Sequence, residues 1–140
     1  MKKRVLFVCV HNSARSQMAE AFLKKYGGDR FDAESAGLEP GKLNPVVVEV
    51  MKESGIDISG NKTKSAIDLY RQGKSYDYVV TVCGGAQSGA CPSFPGGEKL
   101  HWEFDDPSGF EGDIEHKMEK TRVIRDQIYR KIAKWLKEKE

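Results

Sequence analysis

Near its start the chain reads Val5-Leu6-Phe7-Val8-Cys9-Val10-His11-Asn12-Ser13-Ala14-Arg15-Ser16. This stretch opens with an apolar run that is typical of a buried strand. A cysteine ends this run, a polar loop follows, and an arginine stands six positions after the cysteine. If a helix begins near Ser13, the backbone N–H groups of the loop and of the helix N-terminus converge on one point, where the helix dipole also favours negative charge. The stretch therefore predicts an oxyanion-binding loop directly after the first strand.

Cys9 is the candidate nucleophile of this loop, because a field that binds an anion also favours the thiolate form of a cysteine. Arg15 supplies a planar fork of donors that engages two oxygens of a tetrahedral oxyanion at once. A second interpretation remains, in which Cys9 is a buried cysteine ending a core strand and Arg15 is an exposed helix residue. On the first interpretation the catalytic residues include Cys9 and Arg15. The predicted substrate-binding residues are Val10, His11, Asn12, Ser13, Ala14, Arg15 and Ser16.

Two residues of the loop have supporting roles on this interpretation. Ser16 is placed to donate its hydroxyl to the Cys9 thiolate, although serine in a first helical turn is also a common helix cap. Asn12 suits a left-handed backbone position, and the alternative to substrate binding is that it only shapes the loop.

Composition limits the class of protein. The chain has 140 residues, which we interpret as one domain over residues 1–140, and it carries 23 basic against 21 acidic residues, a net charge of +2. That balance argues against binding to nucleic acid or to an anionic membrane. No apolar run approaches the ~18 residues of a membrane span, and the six residues after Lys2-Lys3-Arg4 are too few for a signal peptide. An odd number of cysteines without such a signal indicates a reducing compartment, so we expect a cytoplasmic monomer.

Strand and helix patterns alternate along the chain. The strands after the first are predicted at 31–36, 76–82 and 99–103, and the helices at 16–26, 45–55, 65–71 and across 123–136, with Asn44-Pro45 as the cap and first residue of the second helix. This alternation predicts an α/β fold, a three-layer doubly wound four-stranded parallel sheet in the order 2-1-3-4. Strands 1 and 3 are then neighbours, and ligands bind outside their carboxyl ends. The order brings Cys9, Cys83 and the pair Asp105-Asp106 to one edge of the sheet.

The Cys-x5-Arg-Ser octet after the first strand resembles the phosphate-binding loop of the low-molecular-weight tyrosine phosphatase fold. Several further segments resemble the thioredoxin-coupled arsenate reductases built on that fold. These segments are residues 16–21 (SQMAEA), 35–37 (SAG), 55–59 (GIDIS) and 101–107 (HWEFDDP). The most specific element is the set of three cysteines, Cys9, Cys83 and Cys91, because a phosphatase needs only the first.

The resemblance implies a sequence of thiol reactions. Cys9 attacks arsenate, Asp106 protonates the departing oxygen, with Asp105 as the substitute if the register differs, and Cys83 then attacks Cys9 and expels arsenite. Cys91 takes over the disulfide from Cys83 and presents it to thioredoxin, the external reductant, so no bound cofactor is expected. The interval from Cys83 to Cys91 is one residue longer than is typical of these reductases. The alternatives are that Cys83 is a core cysteine and Cys91 an inert thiol in a surface loop.

Other functions remain open from the residues alone. One is a low-molecular-weight tyrosine phosphatase that uses Cys9, Arg15 and Asp106, although Ser108-Gly109-Phe110 lacks the paired tyrosines of those phosphatases. The other is a non-enzymatic oxyanion-binding or redox-sensing module. Weak phosphatase activity is expected beside the reductase activity, and phosphate or sulfate is expected to fit the loop in place of arsenate. No metal is predicted, because the cysteines and histidines lack metal-ligand spacing, and Lys64 and Ser65 stand where some relatives have an aspartate that binds potassium.

Overall fold

The computed structural model describes residues 2–82 and 94–140, so Cys83 and Cys91 lie outside the described residues. The strands and helices follow in chain order: β1 (Lys3–Cys9), α1 (Arg15–Gly27), β2 (Phe31–Gly37), α2 (Pro45–Glu53), α3 (Ala66–Arg71), β3 (Tyr78–Thr81), β4 (Glu98–His101), a short 3-10 turn (Pro107–Gly109) and α4 (Ile114–Glu138).

The four strands form one parallel sheet in the order β2-β1-β3-β4. The predicted fold class and strand order are therefore confirmed. β1 lies inside the sheet, with Cys9 opposite Gly37 of β2 and Val8 opposite Thr81 of β3. The carboxyl ends of these three strands thus meet at one edge, which is where parallel sheets of this kind bind ligands.

Each face of the sheet carries its own apolar cluster, because successive side chains of a strand point to opposite faces. Helices α1, α2 and α4 share the larger cluster with Val5 and Phe7 of β1, and Phe7 packs on Trp102 with ring centroids 5.9 Å apart. The smaller cluster holds Leu6 and Val8 together with Leu69 of α3. Burial on both faces explains why β1 reads as a continuous apolar run rather than an alternating one.

The element boundaries differ from the predicted ones at several points. Helix α4 begins at Ile114, earlier than its apolar stripe suggests, because Asp113 caps it by accepting the His116 N–H at 2.8 Å and its first turns are polar. Helix α1 (Arg15–Gly27) extends one residue beyond the predicted range 16–26 at each end. β3 and β4 are four residues each and shorter than predicted. The predicted cap of α2 is confirmed, since Asn44 Oδ1 accepts the Val46 N–H at 2.9 Å. Across the described ranges, no helix is long and apolar enough to cross a membrane.

Candidate active site

The sulfur of Cys9 lies inside the loop that joins β1 to α1. Cys9 ends the strand and is 3% exposed. Its Sγ accepts the backbone N–H of Asn12 at 3.1 Å and lies 2.9 Å from Ser16 Oγ. These two contacts hold the sulfur inside the loop, with the Asn12 N–H directed at it.

The direction of the hydroxyl hydrogen of Ser16 follows from its second partner. Ser16 Oγ lies 2.8 Å from Asn12 Nδ2, which is a donor only. Because the oxygen accepts there, its own hydrogen is left for the Cys9 sulfur. Ser16 is fully buried, and the cap of α1 is Ala14, which makes no side-chain cap bond. The structure therefore places the Ser16 hydroxyl at the thiol rather than at the end of the helix.

Asn12 adopts the left-handed conformation expected for it, with φ 55°. It is fully buried, and its Oδ1 accepts the backbone N–H of Lys64 at 2.9 Å. The left-handed turn brings the Asn12 N–H back toward Cys9. Asparagine tolerates this backbone region better than other residues with a β-carbon.

The carbonyl groups of the loop are held by the segment that follows β2. The N–H groups of Leu38, Glu39 and Gly41 donate to the carbonyls of residues 9, 10 and 11, at 3.2, 2.8 and 3.0 Å, and Asn44 N–H donates to Ser13 O at 3.0 Å. The C=O and N–H of a planar trans peptide point in opposite directions. Carbonyls held on the outside therefore turn the neighbouring N–H groups toward the inside of the loop.

Gly37 makes this arrangement possible. A β-carbon on Gly37 would lie 2.7 Å from Val10 O, 2.8 Å from Asn12 N and 2.9 Å from His11 C. All three atoms belong to the backbone of the loop, so only glycine allows β2 to approach it this closely.

Arg15 and Asp106 meet at the opening of the loop. Arg15 is 3% exposed, its Nη1 donates to Phe104 O at 3.1 Å, and its Nη2 lies 3.4 Å from Asp106 Oδ2. Asp106 Oδ1 accepts the Ser108 N–H at 3.0 Å, which fixes the carboxylate at the start of the 3-10 turn. Asp105 is exposed. Of the two predicted aspartates, Asp106 is the one that the structure brings to Arg15.

The remaining predicted site residues differ in how far they are buried. Val10, Ser13 and Ala14 are buried in the loop, whereas His11 is exposed and its ring Nδ1 lies 2.9 Å from Glu39 O. Within residues 2–82 and 94–140, no three His, Cys, Asp or Glu side chains come together as metal ligands. Sequence reasoning did not assign the contacts of Gln17, Gly37 and Asn44 with the loop, although each of these residues stands in a segment that it singled out.

The sequence pattern of the family described as "Low molecular weight phosphotyrosine protein phosphatase" matches residues 4–140. The chain belongs to this family. The matched range includes the Cys9 loop and Asp106.

Among relatives in this family, an arsenate reductase of Halalkalibacterium halodurans is 48% identical over 132 residues, 94% of this chain and 93% of the relative. A solved structure described as an arsenate reductase in the phosphate binding state is 31% identical with a TM-score of 0.79, covering 99% of this chain and 98% of that one. A thioredoxin-dependent arsenate reductase of Corynebacterium glutamicum is 34% identical with a TM-score of 0.60, covering 94% of this chain and 62% of that one.

Proposed function

We propose that the chain is an arsenate reductase that converts arsenate to arsenite and is regenerated by thioredoxin. One observation carries the proposal. The Cys9 sulfur, held by Asn12 N–H and the Ser16 hydroxyl, shares its loop with the buried Arg15, which is paired with Asp106. A nucleophile, an oxyanion binder and an acid thus stand together. We infer that the substrate is arsenate because the relatives include arsenate reductases.

Arsenate binding is the first step. Arsenate resembles phosphate in shape and charge, so the inward N–H groups of residues 10–16 and the guanidinium of Arg15 hold its oxygens. The buried guanidinium keeps its orientation because Phe104 O accepts one of its N–H groups at 3.1 Å. The bound anion then stands beside the Cys9 sulfur.

Nucleophilic attack and proton transfer follow. The Cys9 sulfur bonds to arsenic while one As–O bond breaks, and Asp106 gives a proton to the departing oxygen, which leaves as water. Arsenic is still pentavalent in this adduct. Asp106 has this role rather than Asp105 because it is the aspartate that lies beside Arg15, with 3.4 Å between Arg15 Nη2 and Asp106 Oδ2.

Two electrons then pass from sulfur to arsenic. The Cys83 thiolate attacks the Cys9 sulfur, the S–As bond pair stays with arsenic, and trivalent arsenite leaves with a Cys9–Cys83 disulfide behind it. The Cys91 thiolate attacks Cys83 and frees Cys9. A thioredoxin dithiol reduces the Cys83–Cys91 disulfide. Because this exchange needs a reducing compartment, we propose that the protein is cytoplasmic, and we propose that it acts as a monomer without a bound cofactor.

Serine variants of the three cysteines test this sequence. Cys9→Ser should abolish both arsenite release and hydrolysis of a small aryl phosphate, because a hydroxyl stays protonated where the thiolate acts. Cys83→Ser should release no arsenite, and Cys91→Ser should release one equivalent and then stop with a Cys9–Cys83 disulfide that peptide mapping under non-reducing conditions detects. Both variants should keep the aryl phosphatase activity. Steady-state reduction that is unchanged in Cys83→Ser or Cys91→Ser would contradict the disulfide relay.

A weak phosphatase activity is the second candidate, and the family match supports it. The same loop, Arg15 and Asp106 suffice for hydrolysis of a phosphate ester through a Cys9 phosphoenzyme. The turn after Asp106 begins Pro107-Ser108 and lacks the paired tyrosines of the phosphatases. Ser108 Oγ accepts a hydrogen bond from Asn44 Nδ2 at 3.3 Å. We therefore assign hydrolysis as a side activity and reduction as the main one.

A further inference from the structure

Gln17 lies in the first turn of α1 and has no role in the proposed binding, attack and disulfide-exchange steps. Its side chain is 1% exposed and makes four hydrogen bonds. Nε2 lies 3.1 Å from Asn12 O, 3.2 Å from Asn12 Oδ1 and 3.2 Å from Lys62 O, so its two N–H groups are shared among three acceptors. Oε1 accepts from Asn61 Nδ2 at 3.1 Å. Three of the four partners are oxygens, so the orientation of this amide is determined by its surroundings.

The bond to Asn12 O acts on the peptide unit between Asn12 and Ser13. The described peptide bonds include no cis bond, so the Ser13 N–H points opposite to the Asn12 carbonyl. Gln17 holds that carbonyl, and Ser13 N–H is thereby turned away from Gln17. The same peptide rotated by half a turn would present a carbonyl oxygen where the loop needs a donor.

The bond to Asn12 Oδ1 acts on the side chain of Asn12. That oxygen accepts from Gln17 and from Lys64 N–H, which leaves Nδ2 directed at Ser16 Oγ. Gln17 therefore supports both the peptide and the side chain of the residue that adopts the left-handed conformation. Through Lys62 O and Asn61 it also ties the loop to residues 61–64.

We propose that Gln17 is a positioning residue that orients the Asn12–Ser13 peptide so that Ser13 N–H donates to the bound oxyanion. The inference rests on the proposed function only in taking the ligand to be a tetrahedral oxyanion. Gln17 does not touch the ligand, and it acts through the carbonyl that it holds.

The experiment measures binding of inorganic phosphate to the parent protein, to Gln17→Met and to the control Gln127→Met. Gln127 lies on the exposed side of α4, so the control makes the same substitution away from the loop. The dissociation constant is measured by calorimetry, and the amide proton of Ser13 is followed by NMR. We expect phosphate to move the Ser13 amide resonance strongly in the parent and in Gln127→Met. Gln17→Met should bind phosphate about tenfold more weakly, since one charge-assisted hydrogen bond is misaligned, and its Ser13 resonance should move little.

The outcomes separate a positioning role from a merely structural one. Folded Gln17→Met that binds phosphate within twofold of the parent, with the same Ser13 shift, would overturn the inference even if the variant melts at a lower temperature. If Gln17→Met does not fold, Asn61→Ala decides, because it removes only the donor that orients the Gln17 amide. A twofold to threefold weaker affinity with a reduced Ser13 shift supports the inference, and an unchanged affinity overturns it. A parent protein that fails to bind phosphate would instead overturn the proposed function.

Discussion

Replacing Gly37 by alanine should disturb the phosphate-binding loop through sterics alone. The added β-carbon would lie under 3.0 Å from three backbone atoms of the loop, with Val10 O closest at 2.7 Å. An ordinary carbon–oxygen contact is about 3.5 Å, so the strand and the loop must separate by most of an ångström. Neither moves easily, because Gly37 N–H donates to Lys64 O at 2.8 Å and Cys9 pairs with Gly37 in the sheet.

The size of the effect follows from forcing one extra carbon into a packed site. Overpacking of this kind costs about 1–3 kcal/mol of folding free energy. The strain falls on the loop, so phosphate affinity should also fall, by about tenfold or more, because hydrogen bonds weaken steeply as their geometry is lost. Backbone strain adds nothing to the cost of Gly37→Ala, because Gly37 is not among the glycines with positive φ.

Gly60→Ala provides the control, because a β-carbon there meets nothing within 4 Å. Urea denaturation and phosphate calorimetry of the parent, Gly37→Ala and Gly60→Ala give both quantities. Gly60→Ala should match the parent or be slightly more stable, since alanine restricts the unfolded chain. Gly37→Ala with the stability of Gly60→Ala and parental phosphate affinity would refute the steric argument.

Three further predictions concern single side chains. Asp106→Asn should lower kcat for arsenate reduction by about 10²- to 10⁴-fold, as loss of an acid does, while phosphate binding measured by calorimetry is retained. The hydrogen bond from Arg122 holds the pKa of Glu53 below its usual value. Glu53→Gln should therefore cost about 0.5–1 kcal/mol near neutral pH, allowing for screening of this exposed pair. In melting experiments the difference from the parent should shrink as the pH falls below the ordinary pKa of a glutamate, and it should vanish once the pH is below the lowered pKa of Glu53. Burial, and then the negative charge of Glu34, raise the pKa of Tyr76. In an ultraviolet titration its phenol should therefore stay protonated as the pH passes about 10, where an ordinary tyrosine loses its proton. Tyr76→Phe loses a 3.1 Å hydrogen bond to Glu34 and should lower the free energy of unfolding, measured by urea denaturation, by about 1 kcal/mol.

The fold could be predicted from the sequence because its signals are local and periodic. The apolar run of β1 and the Asn44-Pro45 cap identify their elements without tertiary information. Alternation of strands and helices then leaves few topologies. The start of α4 was not predicted because the first turns of this helix are polar and carry no apolar stripe. Its position depends instead on the Asp113 cap.

The candidate site was predictable only in part. The spacing of Cys9 and Arg15 indicates a loop that binds an oxyanion, since both residues belong to one local motif. The choice between Asp105 and Asp106 depends on tertiary contact, and only Asp106 approaches Arg15. The contacts of Gln17 and Gly37 likewise require coordinates, because they join residues of different elements. The roles of Cys83 and Cys91 stay predictions.

Arsenite formation in a reconstituted system decides whether this chain is a thioredoxin-coupled reductase. The protein is supplied with arsenate, thioredoxin, thioredoxin reductase and NADPH, and a parallel reaction contains glutathione and glutaredoxin instead. We predict one arsenite for each NADPH consumed in the thioredoxin reaction, none with Cys9→Ser, and little in the glutaredoxin reaction. Arsenite in the glutaredoxin reaction alone would contradict the coupling to thioredoxin. Absence of arsenite from both reactions, in a protein that binds phosphate and hydrolyses an aryl phosphate, would contradict the reductase function and identify the chain as a phosphatase.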